Sequence, residues 1–440
     1  MKENLNINKY INNLNLKKIF KKLYPICRSI TGEGFEKSLD ILSSASKLNK
    51  KKVKSGTKVL DWIIPDEWNI VDAYVKEKNK KIIDFKKHNL HIVNYSDSVD
   101  KIVSYKELVK HLHYLPKIPN AIPYLHSYYK KYWGFCLKYN QFKKLNKKGK
   151  FKVKIDSSFK KGNLIYSDNL IPGKSKEEIL IYTYLCHPQM ANHELSGPLA
   201  WLTLYEIIKN TKPHKYSYRF VICPENIGAA TFLHYNKKKI KNIKAGYILN
   251  CLGHGKIVTF KKSRIGNSLA DKAASNVIKH SGYPYKILDF FPEGSDERQF
   301  CSPGFNLPIS LVMRKMYRTF KEYHTSLDDE KFINFKTIEE SIKLHYNIIL
   351  TLENNFTPKA KIIYGTPQLS RSKVDLYPQI MKSSGPKKSE EVKLLLEILN
   401  LADGKEDLLD ICEKKGYELI KFLDLYKRLL KSGYITKVKK

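Results

Sequence analysis

This chain lacks paired cysteines. Its seven cysteines, at positions 27, 136, 186, 223, 251, 301 and 412, are odd in number, scattered, and form no CxxC pair. That argues against a disulfide framework and fits a reducing compartment. Long apolar runs are missing too: no stretch reaches the roughly 18 residues that a membrane-spanning helix needs. The opening segment MKENLNINKYINNLNLKKIFKKL has neither an apolar h-region nor a small-residue cleavage site, so the expectation is a cytoplasmic protein without a membrane span. Acidic residues are scarce, with 43 Asp plus Glu against 80 Lys plus Arg and a formal net charge of +37. Such an excess suggests polyanionic partners. Here, however, lysine is spread through every segment, outnumbers arginine and accompanies many Asn and Ile, which reads as a compositional bias and a solvated lysine surface rather than a nucleic-acid groove.

What is present is enough chain, 440 residues, for two or three domains and a sizeable core. Apolar residues at helical spacing predict helices over 6–26 and 35–48. From 56 to about 160 the texture changes to short β-like runs (59–64, 68–75, 81–85, 91–95, 151–155) rich in aromatics such as Trp62, Tyr124, Tyr128 and Tyr129, with a helix over 105–113. Core packing accounts for most of these rings, and stacking on a sugar or another planar substrate is the sharper alternative. Beyond 161, strands over 179–185, 218–223, 245–252, 257–261, 285–291 and 306–313 alternate with helices from 196, 227 and 268, and a long helix over 336–353 follows. That order predicts a mostly parallel sheet covered on both faces. After a Lys-Ser-Ser-Gly-Pro-Lys-Lys linker, three short helices and a strand at 434–436 read as a winged helix, with Leu419, Phe422, Tyr426 and Leu429 facing its core. Lys421, Lys427, Arg428 and Lys431 on its third helix could contact phosphates; a solvated face is the reading preferred.

The chemistry-bearing residues fall just past strand ends, where open α/β sheets bind ligands. The first such loop, CHPQMANHELSG, carries His187, His193 and a carboxylate. Glu225 follows the next strand in PENIG, Asp296 sits in EGSDERQF, and His324 in EYHTS. Imidazoles and a carboxylate suit zinc, which takes nitrogen and oxygen donors tetrahedrally and keeps a position open in catalytic sites. Each residue also has a plainer reading: Asp296 as a helix N-cap, Arg28 in RSITGEG as a surface or capping side chain rather than a carboxylate or phosphate anchor, and Tyr323 and Arg298 as local packing rather than substrate contacts.

The order CHPQMANHELSG, PENIG, EGSDERQF and EYHTS, with RSITGEG near the start, resembles a bacterial family of aminopeptidase-like proteins in the zinc exopeptidase clan that also contains glutaminyl cyclases. The resemblance implies a phosphorylase/hydrolase-like α/β core (1–55 and 161–358), an inserted small β-rich domain (56–160) and a C-terminal winged helix (386–440). Members are often labelled polysaccharide-biosynthesis proteins. By this resemblance His187 matches the first metal histidine, Glu225 the glutamate after the next strand, and His324 the last metal histidine. Asp296 matches a loop that orients substrate or shuttles a proton.

The chain also departs from the clan. His193 stands where a bridging aspartate is expected, Asn250 or Cys251 replaces a further aspartate, and Pro224 replaces the first of two adjacent glutamates. These changes favour one zinc ion over two, held by His193, Glu225 and His324 with His187 as a further ligand or an outer hydrogen-bond donor. Glu225 then either ligates, leaving Asp296 or Glu322 as base, or the site no longer hydrolyses peptides. The expectation is a zinc-dependent, aminopeptidase-like hydrolase of an amide or peptide-type bond in a small-molecule or peptide-like substrate, connected with surface polysaccharide and able to form a homo-oligomer. A catalytically inactive metal- or ligand-binding module and a nucleic-acid-binding regulator acting through the winged helix are the alternatives.

Overall fold

Seven consecutive residues without an exposed side chain, Glu178–Tyr184, run through the middle of an eight-stranded sheet. The computed structural model describes residues 5–371, 376 and 390–438. The strands of the large sheet, numbered in chain order, are β1 Lys50–Lys54, β2 Asn163–Ile171, β3 Glu178–Tyr184, β4 Ser217–Cys223, β5 Ile243–Ile248, β6 Val258–Lys261, β7 Tyr285–Leu288 and β8 Ile309–Met313. They lie in the order β1-β2-β4-β3-β5-β8-β6-β7. The central four are parallel, while β1 and β2 add on antiparallel at one side and β6 opposes β8 at the other. Continuous burial along β3 and β4 is what a parallel strand covered on both faces requires.

The helix that follows the first site loop covers the central strands β3 and β4. Ser196–Asn210 is buried over nearly its whole length, and its Trp201 Nε1 donates to the Ile181 carbonyl at 3.1 Å. Its first turn comes so close to the strand end that a Cβ on Gly197 would lie 2.2 Å from the Leu249 carbonyl oxygen and 2.5 Å from Thr183 Oγ1. The long helix Phe335–Asn354 packs beside it. At the other end of the central strands, Arg219 on β4 makes a two-pronged pair with Glu178 (2.5 and 2.9 Å) and a third bond to Asp168 (2.7 Å). The buried guanidinium is thus paired through three of its nitrogens.

Between β1 and β2 the chain builds a separate antiparallel sheet, in the order Lys80–Asp84, Glu67–Glu77, Lys150–Lys160, Val99–Ser104. The strand predicted over 91–95 is absent. A 3-10 turn at Asn89–His91 and isolated bridges at Ile92 and Asn94 stand there, because the N–H groups of Val93 and Asn94 go to carbonyls on two separate segments, Gly134 and Leu125. Asn94 Nδ2 donates to the Arg28 carbonyl at 2.9 Å, and Tyr95 has φ +69°. The helix predicted over 105–113 stops at Val109, and Leu112–His113 pairs in parallel with Phe135–Cys136.

The C-terminal unit has helices Glu390–Leu401, Leu408–Lys415 and Leu423–Ser432, and its strand Ile435–Lys437 pairs antiparallel with Pro358–Ala360. Leu419, Phe422, Tyr426 and Leu429 are buried in it. The unit docks on the core helix Leu269–His280: Lys272 pairs with Asp410 at 2.5 Å, Lys279 pairs with Glu413, and Asn276 bonds Tyr417 and Leu419 main chain at 2.8 and 3.0 Å. Two of the cations considered for phosphate contact are engaged with acids, Lys421 with Glu390 and Arg428 with both Asp424 and Glu391. The linker predicted over 382–388 lies outside the described residues. Among those described, no helix is long and apolar enough to cross a membrane.

Candidate metal centre

Three imidazoles meet beyond the C-terminal ends of the central strands. Ligand-capable nitrogens of His187, His193 and His324 all lie within 4.8 Å of one another. Ring centroids are 4.8 Å apart for His187 and His193, 5.1 Å for His187 and His324, and 4.7 Å for His193 and His324. His187 lies three residues past β3, and His193 sits in a π-helical turn, Ala191–Leu195, that leads into the buried helix. That turn is fixed from below by Asp328, which accepts the main-chain N–H groups of Asn192 and His193 at 2.6 and 2.8 Å.

His324 comes from a loop held by the inserted segment. Pro123 bridges Thr325, Tyr124 N–H donates to the His324 carbonyl at 2.8 Å, and Ser326 N–H donates to the Ile122 carbonyl at 2.8 Å. Tyr323 stacks on the His324 ring at 4.0 Å. Three non-glycine residues in this small volume, His324, Asn226 and Cys251, have positive φ of 54°, 60° and 50°. Backbone strain of this kind, roughly 1–3 kcal/mol each, persists where surrounding contacts over-determine it, and it clusters at functional sites.

Partner bonds set the chemistry of each ring. Glu194 accepts both from the His187 main-chain N–H (2.8 Å) and from its Nδ1 (2.6 Å), which turns Nε2 toward the other imidazoles. Burial works against a charge on His187, but Cys186 and Glu194 outweigh it and hold its pKa well above the ordinary imidazole value. Burial pushes His193 and His324 well below that value, with positive charge on their imidazole neighbours adding to the effect. Both therefore offer neutral nitrogens. His193 Nδ1 and His324 Nε2 are buried and have no hydrogen-bond partner. Three converging imidazoles, two with uncommitted nitrogens and one backed by a carboxylate, fit a zinc-type ion and its usual outer support.

Glu225 stands outside the three-histidine cluster but against it, its carboxylate 3.6 Å from His187 Nε2. The set expected from sequence, His193, Glu225 and His324, is thus rearranged: His187 joins the imidazoles and the glutamate flanks them. Burial raises the Glu225 carboxyl to about 6, opposed by His187. Asp296 lies behind it, fully buried, accepting from the Tyr182 hydroxyl at 2.6 Å and from Asn226 N–H at 2.5 Å. Burial first and Glu225 second raise its pKa far above the ordinary carboxylate range. It makes no side-chain N-cap bond.

His187 and His324 open onto a cavity of about 450 Å³ whose walls include Trp62, Tyr124, Tyr128, Tyr129, Glu225 and Arg298. Tyr124 faces two imidazoles, with ring centroids 5.1 Å from His187 and 5.3 Å from His324, and its hydroxyl meets that of Tyr128 at 2.6 Å. Arg28 is not in the cavity. Its guanidinium is fully buried beneath the site, donating to the Leu23 carbonyl at 2.6 Å and the His187 carbonyl at 3.0 Å. The anion-anchor reading of Arg28 therefore gives way to bracing of the His187 loop. Sequence reasoning passed over Glu194 as a named site residue, left Tyr124 among aromatics read mainly as core, and missed Asp328, an acid in a polar loop with no local signal.

Residues 17–355 match the family described as Domain of unknown function (DUF4910), and residues 357–437 match a winged helix-turn-helix family. The chain belongs to the DUF4910 family. It is 43% identical over 423 residues, 94% of this chain and 95% of the relative, to a Clostridium acetobutylicum protein provisionally named for polysaccharide biosynthesis, with an aminopeptidase-like domain. A crystal structure from Clostridium acetobutylicum, provisionally described as a peptidase, superposes with a TM-score of 0.88 at 40% identity and covers 98% of this chain and 99% of its own. The zinc aminopeptidase BSAP from Bacillus subtilis is similar at a TM-score of 0.54 and 12% identity, covering 77% of this chain and 94% of its own. That last likeness is one of fold. This DUF4910 member thus joins an aminopeptidase-like α/β core, a separate antiparallel sheet and a winged helix.

Proposed function

We propose that this protein is a zinc-dependent hydrolase of an amide or peptide-type bond. The observation that carries the reading is the convergence of His187, His193 and His324, the last two with unpartnered buried nitrogens, beside Glu225 and a cavity that His187, His324 and Glu225 line. One ion suits the donors better than two, since an imidazole at 193 has a single lone pair facing inward and cannot bridge as a carboxylate does. A zinc ion held there would supply Lewis-acid polarisation of the substrate carbonyl and acidify nearby water. Glu225 takes the proton from the attacking water and returns it to the leaving nitrogen. Asp296, acting through Tyr182 and the Asn226 main chain, keeps the Glu225 loop in place. Tyr124 walls the cavity above the imidazoles and limits the entry of bulk water. The name of the Clostridium relative favours a substrate from surface-polysaccharide synthesis.

Elemental analysis of the purified protein beside a His324→Ala variant tests the reading. About one equivalent of zinc in the first and little in the second is expected; equal metal in both would end it.

A further inference from the structure

A hydrolase that cuts at a free N-terminus has to hold an ammonium group, and an acidic side chain in the cavity does this most directly. Among the described residues lining this cavity, Glu225 is the sole carboxylate, and it lies 3.6 Å from His187 Nε2, placed for the reacting carbonyl rather than for a substrate amine. The other nearby acids are turned away: Glu194 is committed to His187, Asp328 to the Asn192 and His193 main chain, and Asp296 to Tyr182 and Asn226.

The cavity wall offers the opposite charge. Arg298 lines it, and the guanidinium is clamped on one side only, where Nε and Nη2 both donate to Asn226 Oδ1 at 2.9 and 2.7 Å. Its Nη1 has no partner among the described residues. A guanidinium so anchored presents a fixed donor edge suited to a carboxylate. The same cavity is lined by the rings of Trp62, Tyr128 and Tyr129, the last 57% exposed, a surface that takes a planar or ring-shaped group.

Resting on the hydrolase reading above, we infer that the cavity selects an amide bearing an anionic group close to the scissile bond, of the N-acyl amino acid or acidic N-acyl sugar class, and disfavours a free α-amine. Arg298 binds the anion and the aromatic wall takes the ring.

The test compares three small probes by saturation-transfer NMR and calorimetry on the full chain, stripped of metal so that a carboxylate binding an ion does not contribute. N-acetyl-tyrosine should bind about tenfold more tightly than N-acetyl-tyrosinamide, the worth of one charge-assisted contact of ~1.4 kcal/mol. Tyrosinamide, with its free amine, should bind weakest. Arg298→Met should erase the first difference, and Arg298→Lys should restore part of it. Equal binding of all three, a preference for tyrosinamide, no binding of any, or a carboxylate preference that survives in a folded Arg298→Met would each overturn the inference. Failure of amide turnover with the carboxylate preference intact would remove the hydrolase and leave the anion site; turnover without the preference would do the converse.

Discussion

Glu194 holds His187 twice, accepting its main-chain N–H at 2.8 Å and its ring Nδ1–H at 2.6 Å. The carboxylate therefore fixes the tautomer of the imidazole and raises its basicity as a ligand. Glu194→Gln keeps the size and loses the charge. Its zinc affinity should fall by about 10- to 100-fold, read by competition with a chromogenic chelator. Unchanged competition would show that the contact is only structural.

Glu225→Gln should give the reverse pattern. Metal content stays near the parent value, because the three imidazoles remain, while amide turnover falls by about 10²- to 10⁴-fold as the proton acceptor is lost. The parent rate should rise with pH and then level. The carboxyl lies at about 6 through burial and serves as a base only when ionised, and a neighbouring divalent ion moves the inflection lower. A rate that falls through this range as pH rises would point to an acid role instead.

Gly197→Ala tests the close approach of the buried helix to the strand end. The new Cβ would meet main-chain oxygen at 2.2 Å, so the helix has to shift, at about 1–3 kcal/mol or more. A lower thermal midpoint is expected, with reduced zinc occupancy because the same helix start carries His193. A variant as stable as the parent would contradict the packing described.

His345 supplies a pH-dependent contribution to stability away from the metal centre. Burial lowers its pKa to about 4, against about 6.5 in the unfolded chain. Between these values the unfolded state binds more protons, so stability rises with pH and is lost as pH falls from about 6.5 to about 4. The loss is on the order of 3 kcal/mol when complete. In urea titrations at pH 7 and pH 5, His345→Leu should lose less stability between the two than the parent. An equal loss in both would assign the acid sensitivity to other groups.

Much of this architecture is written in local pattern. The all-apolar run of β3, broken by Cys186-His187-Pro188, states both the buried parallel strand and the loop that follows it, and the same grammar placed Glu225 after β4. Which donors converge is a matter of tertiary geometry. Arg28 looks like an exposed anion anchor in RSITGEG, yet it ends beneath His187 because two carbonyls there, Leu23 and His187, accept from its guanidinium. Asp328 resembles any acid in a polar loop until the chain returns it under the His193 turn. The predicted strand over 91–95 failed for a related reason: its N–H groups turn to carbonyls on two separate segments, Gly134 and Leu125, which alternation of apolar residues does not reveal.

Three hydrogen bonds join 122–124 to 324–326 and tie the third imidazole to the inserted segment. Under the proposed function, substrate choice and metal retention would share one piece of chain. New specificity could arise in the outer aromatics at little cost, but wholesale replacement of the insert would strand the last histidine. Divergence within the family is expected to respect that seam, altering the rings around it while its register is inherited intact.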